Sequence, residues 1–329
     1  TLKNHESADV TGTLKGQFGE NKFEKQVTLK AGEELLVKMD PSDTPELNLK
    51  NPKLWWPKGY GEQNLYDVSF AFVADGKQSD RVNFKSGVRQ MTYDESEYVP
   101  SGGIAKSSFG PFQTKRLSMY INGRRFIGFG GNWGFSESNL KYRAREYDAA
   151  VAYHADMNFT MIRNWVGQTG DEEFYEACDR HGIMVWQDFW LANPADGPEP
   201  ADEAMFMDNA ASMLRRIRNH ACIGLYCGRN EGVPPTSIDN ALRKLVPQLH
   251  PGIVYIPDSA DKTVSGRGPY GVQSAQTYFS LPHGETFHSE RGLPNVMTYE
   301  SASLCLPEER NWPINDLWGM HDYCQGGAM

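Results

Sequence analysis

Two glutamates stand at the ends of apolar, strand-like runs. Glu231 closes the run Ile223-Gly224-Leu225-Tyr226-Cys227-Gly228-Arg229-Asn230-Glu231, and Glu290 closes Glu285-Thr286-Phe287-His288-Ser289-Glu290. Two carboxylates held at strand ends in one pocket are the minimum equipment for cleaving a glycosidic bond. One must hold a proton for the departing oxygen while the other stays charged. That chemistry requires both runs to belong to one parallel barrel.

The elements that would position them change character along the chain. Residues 1–95 read as antiparallel β. Alternating runs at Leu35–Met39, Leu65–Val73 and Arg81–Phe84 are separated by turn residues such as Asp75-Gly76, with no helical period between them. This is the pattern of a β-sandwich. Residues 96–115, with Ser101-Gly102-Gly103 and Phe109-Gly110-Pro111, read as a linker. From 116 onward Leu117–Ile121 runs into the hairpin turn Asn122-Gly123, and a strand at Arg125–Phe129 leads to Gly130-Gly131-Asn132-Trp133.

Helices and strands then alternate. Helices are predicted at Arg143–Asp156, Asp171–His181, Ala204–Asn219 and Ser237–Leu249. Strands are predicted at Phe159–Trp165, Ile183–Gln187, Ile223–Cys227, Ile253–Ile256, near Gln276–Phe279 and at Thr286–Ser289. Repeated strand–helix units of this length imply parallel strands. Polar and aromatic residues gather at their C-terminal ends: Asn132 and Trp133, Arg163 to Trp165, Asp188 and Trp190, Asn230 and Glu231, Tyr278, Glu290. One mouth fed by successive strand ends is the α/β-barrel arrangement. No glycine-rich phosphate loop leads into a helix after the first strand. About seven strands are countable, and 116–329 is shorter than the roughly 250 residues of a complete barrel, so the barrel is expected to be truncated.

Composition narrows the partners. Of 329 residues, 39% are hydrophobic and 23% charged, as in a folded globular chain. A net charge of −9 argues against nucleic acid as the main partner, and no apolar run is long enough for membrane insertion. The chain opens Thr1-Leu2-Lys3-Asn4, which is not a signal peptide; a signal for periplasmic or secreted export would lie outside this chain. Five cysteines without a C-x-x-C read as buried free thiols and leave the compartment open. No metal constellation stands out and no cofactor is called for. Aromatic residues, at 12%, suit sugar stacking as well as core packing.

Several motifs, in order, resemble glycoside hydrolase family 2. They are Leu54-Trp55-Trp56-Pro57-Lys58-Gly59-Tyr60-Gly61 with Gln63 and Leu65-Tyr66, then Gly87-Val88-Arg89, Ile121-Asn122-Gly123, Gly228-Arg229-Asn230-Glu231 and Phe287-His288-Ser289-Glu290-Arg291-Gly292. Asn230-Glu231-Gly232-Val233-Pro234-Pro235 and Gly268-Pro269-Tyr270-Gly271 are similar to segments of the β-mannosidase, endo-β-mannosidase and exo-β-glucosaminidase group, and look less like the β-galactosidase and β-glucuronidase group. The resemblance implies an immunoglobulin-like sandwich (1–95) followed by a (β/α)8 TIM-type catalytic barrel (116–329), in a fragment of a larger multidomain enzyme.

The resemblance also implies an activity and a cast. The activity is that of a retaining, exo-acting β-glycosidase (an O-glycosyl hydrolase) for terminal β-linked mannose or glucosamine-type sugars in a glycoside or oligosaccharide. Glu231 is the expected acid/base and Glu290 the expected nucleophile, with Glu300 as rival for the second role. The two carboxyl groups of a retaining enzyme lie roughly 5–5.5 Å apart. Asn230 is expected at the sugar's 2-substituent, and Arg163 and Asn164 near the nucleophile. Trp133, Trp165 and Trp190 are candidate sugar walls, Asp188 a candidate for a hydroxyl or amine, and Tyr278 a donor to Glu290. His288 is expected to make a structural hydrogen bond. The alternative from another class is a catalytically silent fragment that binds carbohydrate or a partner chain.

Overall fold

The computed structural model describes residues 1–97, 115–133, 142–260, 263–268, 270, 274, 287–292, 299–313 and 315–320. Its N-terminal part is antiparallel. Strands β1 (Leu2–Lys3) and β4 (Glu34–Leu35) pair with each other. Strands β2 (Val10–Phe18), β3 (Asn21–Leu29), β5 (Tyr66–Ala74) and β6 (Lys77–Ser86) form a four-stranded sheet in the order β3-β2-β5-β6. The β5–β6 turn is Asp75-Gly76, with φ of 50° and 71°, the left-handed pair that suits a two-residue hairpin. Leu14, Val27, Leu29 and Phe72 of the sheet pack with Leu2 and Leu35 into a small core of their own.

Two strands of this sheet, β2 and β3, had no clear signal in the sequence. Two inward positions of β2 are Gly12 and Gly16, which carry no hydrophobic mark. A Cβ at Gly12 would meet the Phe72 ring at 2.7 Å, and one at Gly16 would meet the Phe23 ring at 2.1 Å. The glycines are apolar positions occupied by their neighbours' rings. The run expected at Leu35–Met39 shrinks to Glu34–Leu35.

A three-stranded antiparallel sheet follows: β7 (Met91–Glu97), β8 (Lys115–Ile121) and β9 (Arg124–Phe126). Asn122-Gly123 makes the β8–β9 turn with φ of 50° and 78°. Glu97 pairs with Lys115, so the two ends of the expected linker are strand, and 98–114 lie outside the described residues. The strand expected over Arg125–Phe129 ends at Phe126.

Five strands then form one parallel sheet in chain order: β10 (Gly130–Trp133), β11 (Met161–Asn164), β12 (Met184–Asp188), β13 (Ile223–Arg229) and β14 (Tyr255–Asp258). Helices α1 (Ala144–Asp156), α2 (Glu172–His181), α3 (Glu203–Ile217) and α4 (Thr236–Leu249) link them in turn. Each strand neighbours its predecessor with no reversal of order, as in a barrel wall and unlike a doubly wound sheet. The strand expected near Gln276–Phe279 lies outside the described residues. The one expected over Thr286–Ser289 is a single parallel bridge between His288 and Ser265, with Thr286 outside the described residues. Two short helices, α5 (Tyr299–Cys305) and α6 (Asp316–Met320), come last.

Local chemistry explains the helix ends. Asp202 caps α3 by accepting from the Met205 amide at 2.9 Å. Gly182 ends α2 in the left-handed conformation at φ 73°. A Cβ there would also meet the Lys58 amide nitrogen at 2.6 Å, because Lys58 N donates to Gly182 O.

That contact belongs to the seam between the two parts. Trp55 is fully buried and its indole donates to Asp179 O of α2 at 2.8 Å. Arg89 donates to Ala221 O and Ile223 O, and Tyr93 to Gly224 O, all at the N-terminal end of β13. The L-W-W-P and G-V-R motifs thus hold the antiparallel part against the end of the parallel sheet remote from the strands' C-termini.

Cys178, Cys222 and Cys227 are buried free thiols, and burial pushes each well up. Cys305 is exposed, contrary to expectation, on the short α5; Cys324 lies outside the described residues. Among the described residues no helix is long and apolar enough to cross a membrane, and no three His, Cys, Asp or Glu side chains group as a metal site.

One titration at the seam is legible. His220 bonds Asp179 Oδ2 at 2.7 Å through Nδ1 and Glu172 Oε2 at 3.1 Å through Nε2. Burial opposes a charged ring. The bonds to Asp179 and Glu172, and their charges, outweigh it and raise the pKa to about 9. A raised histidine pKa stabilises fully below the unfolded value near 6.5, and the gain is lost as pH climbs through 9. The melting temperature should therefore fall between pH 6.5 and 9, and His220→Gln should flatten that slope. An unchanged slope in a differential-scanning series would exclude His220 as its source.

Candidate active site

The C-terminal ends of β10 to β14 supply Asn132, Arg163, Asp188, Asn230 and Ser259. In a buried strand, alternate residues share a face. On β12, Trp186 and Asp188 face Arg163 of β11. Arg163 Nε and Nη2 both donate to Asp188 Oδ2, at 3.0 and 2.7 Å. Asp188 Oδ2 also accepts the Val166 amide at 3.0 Å, and Oδ1 accepts the Trp186 indole at 2.7 Å. The Arg163 guanidinium lies 5.4 Å from the Trp186 ring, on which Phe287 packs in turn.

From this anchor Arg163 reaches both proposed catalytic segments. Nη2 donates to Asn230 Oδ1 at 2.8 Å, and Nη1 lies 3.5 Å from Glu290 Oε1. Nη1 is buried without a hydrogen-bond acceptor among the described residues. Burial works against the guanidinium charge, but the Asp188 and Glu290 carboxylates more than offset it and raise its pKa.

Glu290 is 13% exposed, and its Oε2 accepts the Asn132 amide at 2.7 Å. The segment carrying it is fixed by His288, which bonds Ser265 Oγ at 2.8 Å and Gly268 O at 3.1 Å. His288 thus has the structural role expected of it.

Glu231 follows β13, the fourth strand of the sheet, at φ 48°. This is the left-handed region, unusual for a residue with a Cβ. The turn is held by the Glu231 amide donating to Ser259 Oγ at 3.0 Å and by Arg267 donating to Glu231 O at 3.2 Å. Val166, at φ 44°, is a second such residue, pinned by its amide bond to Asp188. Left-handed residues therefore flank the mouth on two loops, where such conformations tend to concentrate.

The Tyr270 hydroxyl closes the group. It donates to Glu231 Oε1 at 2.7 Å and also hydrogen-bonds Glu290. Its ring sits over two glycines: a Cβ at Gly292 would meet it at 2.8 Å, as would one at Gly268.

Several expected site residues take other roles. Asn164 is buried on the opposite face of β11 from Arg163. It bonds Gln187 Oε1 at 3.0 Å and both backbone groups of Thr169. Asp188 is fully buried with both oxygens engaged, so it orients Arg163 rather than facing a ligand. Trp133 is buried with its indole on Thr169 Oγ1, packed among Tyr142, Tyr147 and Phe174, and belongs to the core. Trp165 is half-buried in a one-turn 3-10 helix. Trp190 is 40% exposed and leans on Phe206 of α3. Tyr278 lies outside the described residues. Glu300, the rival nucleophile, is exposed on α5.

Three residues of this cluster were not assigned to the site from sequence. Asn132 was visible as a polar strand end, and Ser259 follows the apolar run of β14. Tyr270 stood only in a motif, with no element to place it.

The comparisons with known proteins agree with this arrangement. Residues 1–89 match the model of "Glycosyl hydrolases family 2". The mannosylglycoprotein endo-beta-mannosidase of Lilium longiflorum is 34% identical over 373 residues, covering 95% of this chain and 37% of its own length. The chain belongs to glycosyl hydrolase family 2. The exo-beta-D-glucosaminidase of Streptomyces avermitilis is a second family relative, 25% identical over 92% of this chain and 32% of its own. The chain thus spans about a third of the length of these relatives. Among solved structures, the exo-chitosanase CsxA of Amycolatopsis orientalis superposes on 93% of this family 2 chain with a TM-score of 0.77 at 17% identity, covering 36% of that chain. The beta-D-mannosidase of Dictyoglomus thermophilum does so on 93% with a TM-score of 0.67 at 23% identity, covering 39% of that chain. At these identities the likeness concerns the fold.

Proposed function

We propose that this chain carries the catalytic groups of a retaining, exo-acting β-glycosidase for terminal β-linked mannose or glucosamine-type sugars. The observation that supports it most is that one hydroxyl, Tyr270, meets both Glu231 and Glu290. Two carboxylates that reach a common atom have the short separation a retaining mechanism needs. In this reading, residues 1–95 are an immunoglobulin-like sandwich, 96–115 its linker, and 116–329 barrel.

Glu290 attacks the anomeric carbon while Glu231 gives its proton to the leaving oxygen. The resulting glycosyl ester on Glu290 is then opened by water, and Glu231 takes a proton from that water. Arg163 and Asn132 hold the two Glu290 oxygens in place for attack. Asn230, itself held by Arg163, presents its amide nitrogen to the sugar's 2-substituent. The Arg163 Nη1 donor without an acceptor offers a further hydrogen bond to a sugar oxygen. Trp165 and Trp190 retain exposed surface for a sugar face, and Tyr278 is kept as a proposed donor to Glu290. A soluble, exported enzyme fits a glycoside substrate.

A 2-deoxy-2-fluoro-β-mannoside or glucoside with an activated leaving group tests the reading. Intact mass should rise by one glycosyl unit, and peptide mapping should find it on Glu290. A label on Glu300 refutes the assignment. The absence of any label over a panel of sugars favours a catalytically silent, carbohydrate-binding role.

A further inference from the structure

The Tyr270 hydroxyl has one proton and two carboxylate neighbours. It donates to Glu231 Oε1 at 2.7 Å and also hydrogen-bonds Glu290. Its position is built rather than incidental. Gly268 and Gly292 leave room for the ring, and His288 fixes the Gly268 carbonyl beneath it. The titratable and charged groups facing it are Glu231 after β13, Glu290 and His288 on 287–292, and Arg267 on 263–268, with Arg163 of β11 behind Glu290.

Resting on the reading above, we propose that Tyr270 is a positioning residue whose O–H turns between the two carboxylates and follows the negative charge through the catalytic cycle. In the free enzyme Glu290 is charged and Glu231 carries the acid proton. The phenol then donates to Glu290 and accepts from the Glu231 carboxyl group. Once Glu290 is esterified to the sugar and Glu231 has given its proton to the leaving oxygen, the charge sits on Glu231, and the phenol O–H turns to it. Water attack returns a proton to Glu231 and frees Glu290 as a carboxylate, and the O–H turns back. The phenol proton never leaves its oxygen, so no proton is created or lost. The arrangement in this structure, O–H on Glu231, is the second of these states. Burial, the bond to Glu231 and the nearby Glu290 charge all raise the Tyr270 pKa, which keeps the phenol protonated in both states.

A residue that serves both carboxylates must affect both half-reactions. Tyr270→Phe keeps the ring and removes the rotor. Labelling by the fluoro-sugar, and reactivation of the labelled enzyme, should each slow by about tenfold or more, a fraction of what a complete general acid contributes. The first step should slow more for poor leaving groups than for activated ones, the pattern also expected of Glu231→Gln. Slower labelling with unchanged reactivation would confine Tyr270 to Glu290 and overturn the proposal, as would unchanged rates in both steps.

A second readout does not depend on activity. With 13Cδ-labelled glutamate, the resonances of Glu231 and Glu290, each assigned through its Gln variant, should both move in Tyr270→Phe. If neither moves, the rotor is refuted even in an active enzyme. If both move in a protein that takes no label, the hydrogen-bonding stands and the glycosidase reading fails instead.

Discussion

Glu290→Gln should remove turnover, with a loss on the order of 10⁴ or more, because a neutral amide cannot form the glycosyl ester. The fold should survive. The side chain is 13% exposed, and its partners Asn132 and Arg163 are held by other contacts. Near-wild-type urea unfolding together with lost turnover would locate the defect in chemistry. The smaller Glu290→Ala allows a sharper check. Azide entering the vacated space would attack the anomeric carbon from the nucleophile's side as Glu231 protonates the leaving group, giving an α-glycosyl azide. Recovery of that product assigns the role to Glu290. Its appearance with Glu300→Ala, or full turnover by Glu290→Gln, would move the role elsewhere.

Arg163→Met is expected to be costly in a second way. Arg163 and Asp188 are 3% and 0% exposed, so the pair is out of water. Removing the cation leaves a buried carboxylate with only the Val166 amide and Trp186 indole as donors. Breaking a buried pair from one side typically costs about 3–5 kcal/mol. Asn230 and Glu290 lose a shared donor at the same time, so labelling of Glu290 should fall with stability. Asp188→Asn in the Arg163→Met background should restore part of the stability but not the labelling. Additive losses in that double-mutant cycle would show that the pair is not coupled.

The split between what could be read and what could not follows physical lines. The βα units were legible because a helix must show an apolar face at 3.6-residue spacing, as Phe206, Ala210, Met213, Leu214 and Ile217 do on α3. Asp75-Gly76 and Asn122-Gly123 were legible because few residues accept left-handed turn geometry. Strand β2 was not, because two of its inward positions are glycines that make room for phenylalanine rings from other strands.

At the site, Glu231, Glu290, Asn230 and Arg163 were accessible from sequence, because their chemistry is rare at the end of an apolar run. Which way each neighbour points was not. A strand buried on both faces is apolar throughout, so its period carries no sign of which face is the mouth. Arg163 and Asn164 are adjacent and equally polar, yet one meets Glu290 and the other Gln187. Asp188 reads as a ligand group until its partner is seen, and Trp133 reads as a sugar wall until the core closes around it. Asn132 meets Glu290 across 158 residues of chain, and Tyr270 meets Glu231 across 39. By itself the sequence determined the two carboxylates and the parallel strands that end beside them. Only the tertiary structure decided which side chains hold those carboxylates, because such contacts join distant segments and leave no local pattern.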